Sequence, residues 1–148
     1  SDLNNRYSDP NEITNESLRK MADVVREKAN SNHSKHQAYL KMNPLLTRPN
    51  LYNRYVPTHK LLNVTRLRMV SHSLESELGR MRMNCPLQER ICSCGDVEDE
   101  EHFILKCTHY THIRKKYFKE KLPFHVHLDS VYTPDLIDEL HKCRDIYR

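Results

Sequence analysis

The chain has 148 residues, of which 37% are hydrophobic and 30% charged, a composition that predicts one folded domain of modest core size rather than a disordered chain. Lysine and arginine number 24 against 20 acidic residues, so the formal net charge of +4 allows a polyanionic partner without requiring one. No apolar run is long enough to span a bilayer, and the first residues lack the charged-then-apolar order of a signal peptide. We therefore expect an intracellular protein, nuclear or cytoplasmic, without a membrane partner.

The two ends of the sequence suggest a fragment. The chain begins at Ser1 without a methionine and stops inside a segment that predicts a helix. We therefore expect it to be a piece of a longer polypeptide.

The first part of the chain predicts one helix and then an irregular segment. Apolar residues from Ile13 to Ala29 recur with helical spacing among charged residues, so we expect an N-terminal helix within residues 1–33. Residues 34–57 contain three prolines and show no steady period. This predicts a proline-rich strap without regular secondary structure.

Residues 58–121 predict a basic helical module. Apolar residues recur every three or four positions between Thr58 and Gly79, so we expect a helix that Thr58 caps and Gly79 ends, with a break near residues 71–73. The acids at 98–101 would lie in the first turn of a further helix with basic residues near its end, which complements the helix dipole.

Residues 122–148 predict a strand and a helix that pack on the same domain. In the segment "FHVHLD", a strand would place His125 and His127 on one face, where such a pair can bind a catalytic metal. No convincing set of carboxylates accompanies the pair, so a half-buried strand is the simpler interpretation. Thr133 as N-cap and Pro134 at the first position predict the final helix.

Three of the five cysteines lie close to one histidine in the sequence. They form the pattern C-x-C-x7-H-x4-C with Cys92, Cys94, His102 and Cys107. Three thiolates and one imidazole in two close pairs are a ligand set that tetrahedral zinc selects, and Gly95 allows the tight turn after the first pair. Because four protein ligands leave no open position, the pattern predicts a structural zinc site.

The spacing of the second pair imposes a geometric condition. Side chains five residues apart on a regular α-helix point well away from each other. His102 and Cys107 can therefore share a metal ion only if the helix ends or distorts before Cys107, and Thr108 would then cap a separate helix over residues 109–121.

Other interpretations of the cluster stay open. His109 and His112 are alternatives to His102 as the nitrogen ligand. The cysteines could also be buried thiols beside a charged helix, since free cysteine is an ordinary core residue, or a redox pair. An odd number of cysteines without a secretory signal disfavours structural disulfides.

The predicted fold is thus mainly α: a small helical domain with a structural zinc knuckle and at most a short β-hairpin at residues 92–97. We expect residues 58–121 to hold the basic helix and the zinc-knuckle module, with the remaining segments packed on the same domain.

A longer pattern surrounds the cluster. The segments "RLRMVSHSLESELGR" and "ERICSCGDVEDEEHFILKCTHYTHIRKKY" combine an arginine-rich helix, a Ser-His-x-Leu element, a Glu-x-Gly-Arg step, a cysteine pair, an acidic segment with a histidine, and a cysteine followed by tyrosine and arginine. With "SKHQAYLKMNPLLTRPNLY" upstream, this order resembles the tail that follows the polymerase domain in many non-LTR (LINE-type) retrotransposon reverse transcriptases. The resemblance covers residues 34–117. The sequence departs from that family in its Cys-x-Cys spacing and in Thr108, where proline is usual.

The resemblance implies a module that helps hold template RNA or target DNA, alone or within a longer reverse transcriptase chain, with zinc as its cofactor. It implies that the zinc-knuckle ligands are Cys92, Cys94, His102 and Cys107. No polymerase motif of paired aspartates accompanies them, so we expect no enzymatic activity. Basic residues near the site agree with a polyanionic partner. The candidates for nucleic-acid contact are Arg66, Arg68, Arg80, Arg82, Arg90, Arg114, Lys115, Lys116 and Lys119.

Two tyrosines near the cysteine cluster could contact nucleic acid, and two other functions also fit the sequence. Tyr110 and Tyr117 could stack on bases, but packing in the core is the favoured interpretation of their helical spacing. The first rival function is a zinc-stabilised protein-interaction or scaffolding module. The second is a metal-dependent nuclease-like domain that uses the C-terminal acids and histidines.

Overall fold

The computed structural model describes residues 10–30 and 34–147, and this part of the chain is mainly helical. Its α-helices are α1 (Pro10–Asn30), α2 (Ser34–Met42), α3 (Thr58–Arg68), α4 (Glu75–Met83), α5 (Thr111–Tyr117), α6 (Phe124–His127) and α7 (Thr133–Tyr147). Short 3-10 helices at Asn50–Asn53, Leu87–Glu89 and Thr108–Tyr110 and a π-helix at His102–Lys106 lie between them. Within the described residues, β-structure is limited to one antiparallel bridge between Ile91 and Val97. The predicted fold class is therefore confirmed.

The N-terminal third contains more helix than the sequence predicts. The helix expected within residues 1–33 is confirmed as α1, while the flanks at 1–9 and 31–33 lie outside the described residues. The prediction of an irregular strap over residues 34–57 is wrong, because α2 and a 3-10 helix form there. Helix α2 ends before the first proline, and Met42 is fully buried, so tertiary packing stabilises a helix whose apolar period is weak.

The central helix is divided, as its pattern predicts. Helix α3 begins at Thr58 itself, without a side-chain cap, and α4 resumes after the break. Gly79 does not end α4, so that prediction is wrong. The helix continues to Met83 and ends at Asn84, whose φ of 47° is left-handed. Gly79 instead allows close contact, because a Cβ there would lie 2.6 Å from Cγ of Arg90.

The C-terminal segment contains two helices. The predicted strand at "FHVHLD" is wrong: α6 forms there, with the His127 amide donating to the Pro123 carbonyl at 3.2 Å. The His127 ring stacks on Phe118 at a centroid distance of 4.0 Å, and Leu128 is fully buried. The two histidines that alternate with apolar residues therefore lie in one helical turn that packs on the core, and not in a strand. The final helix is confirmed as α7.

One hydrophobic core joins the chain from α2 to α7. Helices α3 and α5 both pack on α7, whereas α1 packs mainly on α2. Phe103 and Leu140 are fully buried in this core, and full burial of such a side chain contributes about 1.5–3 kcal/mol. Cys92 and Cys107 belong to the same cluster. None of the helices in the described part has the length and apolar character needed to cross a membrane.

Replacing Gly79 by alanine is expected to destabilise the protein, although alanine is the better helix former by about 1 kcal/mol. The new methyl group would meet Arg90, which is held by hydrogen bonds to the carbonyls of Ser76 at 2.7 Å and Cys85 at 2.8 Å. We expect urea unfolding to show a loss of about 1–3 kcal/mol. In an Arg90→Ala background the same change should be neutral or stabilising, and an equal loss in both backgrounds would contradict this contact.

Candidate metal centre

A tight hairpin positions the first two cysteines. The Cys92 amide donates to the Asp96 carbonyl at 2.8 Å, and the Gly95 amide donates to the Cys92 carbonyl at 2.9 Å. Gly95 has a φ of +103°, a conformation that residues with a Cβ rarely adopt. The glycine therefore permits the turn that brings Cys94 back toward Cys92.

A π-helix positions the other two ligands. The Asp99 carboxylate accepts from the His102 amide at 2.7 Å and so caps the start of this segment. The Cys107 amide donates to the His102 carbonyl at 2.8 Å, which closes a turn five residues apart instead of four. At Cys107 the backbone becomes extended, with ψ of 126°. The helix is thus distorted before Cys107, as the spacing of the two ligands requires.

The four side chains meet at one point. Their ligand atoms, from Cys92, Cys94, His102 and Cys107, all lie within 4.8 Å of one another. The two thiols of Cys92 and Cys107 are 3.8 Å apart, and the Cys94 sulfur lies 3.3 Å from Nε2 of His102. Typical bond lengths around a tetrahedral zinc ion place two sulfurs about 3.8 Å apart and a sulfur and a nitrogen about 3.5 Å apart. These residues therefore form a cluster that could bind a metal ion.

The structure places His102, rather than its two neighbours, in this cluster. His102 is buried, with 4% of its surface exposed. Nε2 of His109 instead lies 3.1 Å from the Ser93 hydroxyl, and His112 is exposed. Neither of these alternative histidines belongs to the group of ligand atoms found among the described residues.

Burial controls the charge of the ligands. It raises the pKa of the Cys92 thiol and raises the pKa of Cys107 to about 12, while it lowers the pKa of His102. A neutral imidazole is ready to coordinate a metal, whereas the thiols must first lose their protons. A bound cation provides the positive charge that makes this deprotonation favourable.

Two residues of the acidic run beside the cluster form buried side-chain contacts. The Glu98 carboxylate accepts from Nε of Arg144 on α7 at 2.5 Å, and both side chains are 5% exposed. The Glu100 carboxylate lies 2.6 Å from Nε2 of His72, in the loop between α3 and α4. Only part of the predicted first turn is therefore correct, since Glu98 and Asp99 both precede the helix, which begins at Glu100. His72 is buried, and its Nδ1 also accepts from the Leu74 amide at 3.2 Å, which is typical of a structural histidine.

The nine basic residues predicted to contact nucleic acid lie in three settings. Arg68 is buried and donates to the Leu128 carbonyl at 3.4 Å, and Arg90 and Arg114 also donate to backbone carbonyls. Ion pairs to glutamates involve Arg80, Arg82 and Lys116. The exposed side chains without an ion pair to any described residue are Arg66, Lys115 and Lys119. This last group is open to a phosphate without first breaking an internal contact.

The predicted aromatic and histidine sites are structural. Tyr110 is 2% exposed and packs edge-on against Phe103 at 5.5 Å, and the Tyr117 hydroxyl donates to Glu139 at 2.5 Å. The interpretation that both tyrosines pack in the fold is thus confirmed. Nδ1 of His127 lies 2.5 Å from the Tyr132 hydroxyl, and no metal cluster of the described residues includes it.

Comparison of the chain with protein-family models, with curated proteins and with solved structures finds no match.

Changing Cys94 or His102 to alanine is expected to abolish binding of one metal ion per chain and to reduce helical circular dichroism, because each change removes a ligand of a closed site. Native mass spectrometry before and after chelation at denaturing pH provides the stoichiometry. Matched controls are Cys85→Ala and His109→Ala, which lie outside the cluster. Metal binding that survives the ligand changes, or that is lost equally in the control variants, would contradict the assignment.

Metal binding at pH 7 is expected to release about three protons, because the cysteines coordinate as thiolates and free thiols are protonated at this pH. Burial raises the pKa of Cys92 and Cys107 and keeps His102 neutral, so the imidazole contributes none. Metal affinity should accordingly fall as the pH falls. Calorimetry in buffers of different ionisation enthalpy counts the protons, and a count near zero would exclude thiolate ligation.

Proposed function

We propose that Cys92, Cys94, His102 and Cys107 bind one zinc ion as a structural centre. Three soft sulfur donors and one imidazole, with ligand atoms within 4.8 Å of one another, favour zinc over the oxygen-preferring cations. The four ligands complete the coordination shell, so the ion would serve folding rather than catalysis. It would join the hairpin to the π-helix, two segments that otherwise share few backbone hydrogen bonds.

We further propose that this zinc-stabilised domain is a non-catalytic nucleic-acid-binding module, from or derived from a non-LTR retrotransposon reverse transcriptase. The observation that carries this proposal is the position of unpaired cations directly after the metal centre. Lys115 on α5 and Lys119 just beyond it are exposed, and no described acidic residue pairs with either. The order of sequence elements that resembles the retrotransposon tail also favours template RNA or target DNA as the ligand.

The metal centre would give these cations their function by fixing their positions. The chain passes from Cys107 through a single 3-10 turn into α5, so a ligand and the first free lysine are eight residues apart. Cations on a rigid surface lose less conformational entropy when they bind phosphates than cations on a mobile segment. Each phosphate contact releases condensed counterions, so binding should weaken steeply with salt.

The binding test compares two double variants of the zinc-loaded protein. Lys115→Gln with Lys119→Gln removes two free cations near the metal centre, and Lys20→Gln with Lys28→Gln removes the same charge from α1. Anisotropy of labelled single-stranded RNA, single-stranded DNA and duplex DNA over a salt series provides affinity and slope. We expect the first variant to reduce the slope of log affinity against log salt by about 1.4–1.8. The α1 variant should bind like the wild type.

Two results would contradict a defined nucleic-acid-binding surface beside the metal centre. Equal losses in both variants would show attraction to net charge alone, without a defined surface. Absence of binding by the zinc-loaded wild type at about 0.15 M salt would support a protein-interaction module instead. That alternative is favoured by exposed apolar side chains on the described part of α1, among them Leu18, Met21 and Val24. Cleavage of the probes on addition of Mg²⁺ or Mn²⁺ would support the nuclease-like alternative.

A further inference from the structure

Arg114 lies against the metal cluster rather than extending into solvent. Its Nη2 donates to the carbonyl of the ligand Cys107 and lies 3.3 Å from the Thr111 hydroxyl. Its Nη1 is buried and has no hydrogen-bond partner among the described residues. Burial lowers the pKa of this guanidinium, and the negative charge of a Cys107 thiolate would oppose that shift. A permanent positive charge therefore lies beside the ligands with one donor unused.

The unused donor is unusual in a folded protein. Buried polar groups almost always form hydrogen bonds, and a buried charge generally requires an opposite charge nearby. The cations of neighbouring segments already have partners, since Arg144 pairs with Glu98 at 2.5 Å and Lys106 with Glu101 at 3.6 Å. No carboxylate of the described residues pairs with Arg114. Deprotonation of Cys107 on metal binding would place a negative charge close enough to stabilise this guanidinium.

The net charge of the zinc-loaded centre would be equal and opposite to that of Arg114. Three thiolates, one neutral imidazole and one divalent cation sum to a net charge of −1, which a single guanidinium neutralises. Asp96 and Asp99 also face His102 and add to the negative potential around the site. We propose that Arg114 is a positioning residue of the metal centre: it supplies the counter-charge of the thiolates and holds Cys107 at the end of the π-helix. This inference rests on the zinc centre proposed above.

This assignment differs from the role that charge alone suggests. An arginine beside a metal site is a natural candidate for phosphate contact, yet Arg114 would have to give up its bond to the Cys107 carbonyl to reach a ligand in solvent. Lys115, the next residue, is exposed and forms no ion pair within the described part of the chain. Two adjacent residues therefore have different proposed roles: Arg114 stabilises the metal centre, and Lys115 is available for phosphate contact at the surface.

The test measures Zn²⁺ affinity by competition with a chelating dye, without nucleic acid, in Arg114→Gln, Arg114→Lys and the matched control Lys115→Gln. Outer-shell partners of metal ligands typically change metal affinity 10–100-fold, so we expect a loss in that range for R114Q. R114K keeps the charge and should stay much closer to the wild type. K115Q should be unchanged. Absorption of the Co²⁺-loaded forms reports the thiolate ligands directly, and circular dichroism reports folding.

The results distinguish this inference from the proposals on which it rests. A wild type that binds no Zn²⁺ would overturn the metal centre itself. If the wild type binds Zn²⁺, affinity of R114Q equal to that of K115Q would overturn the role of Arg114. If R114Q and R114K lose Zn²⁺ affinity equally, or lose folding equally, the counter-charge role would be overturned. Such a result would show that Arg114 acts only through packing. Loss of folding in R114Q but not in R114K would support the counter-charge role.

Discussion

The hydrogen bond from the Cys107 amide to the His102 carbonyl closes a turn of the π type, and the ligand cluster depends on it. In a regular α-helix the same amide would bond to the Phe103 carbonyl, and the two ligands would point about 140° apart. The wider turn leaves Phe103 and Ile104 fully buried in the core while both ligands face the cysteine hairpin. One short segment thus fills the core and supplies half of the candidate metal site. A metal ion bound there would couple its binding to folding in one free energy.

Glu98 lies between the cysteine hairpin and the π-helix and connects them to the remainder of the fold. Its amide donates to the Arg90 carbonyl at 2.9 Å, its carbonyl accepts from the Ser76 amide at 2.9 Å, and its carboxylate pairs with Arg144. Removing one partner of a buried ion pair typically costs about 3–5 kcal/mol, because the other charge remains buried. The hairpin is thus fixed to both α4 and α7. Since α5 also packs on α7, the free lysine Lys115 is held by the same framework as the metal ligands.

The sequence predicts those features whose cause is local. Ligand chemistry and spacing identified the cluster, and apolar periodicity with proline signals identified the first and last helices. Features that depend on distant contacts were missed. In the sequence Gly79 resembles a helix stop, but in the structure it makes room for the side chain of Arg90. Arg68 and Arg114 resemble phosphate contacts because sequence reports charge but not burial, and their carbonyl partners leave no local signal. The pairing of Glu98 with Arg144 spans 46 residues and has no sequence signature.

X-ray absorption at the zinc edge of the purified protein measures the identity and ligation of the metal ion directly. We expect one zinc per chain with three sulfur scatterers at about 2.3 Å and one imidazole nitrogen at about 2.0 Å. Such a spectrum would establish the cluster of Cys92, Cys94, His102 and Cys107 as a closed structural site. A shell dominated by oxygen or nitrogen, or a folded protein without zinc, would contradict the claim that the hairpin and the π-helix are joined by this ion.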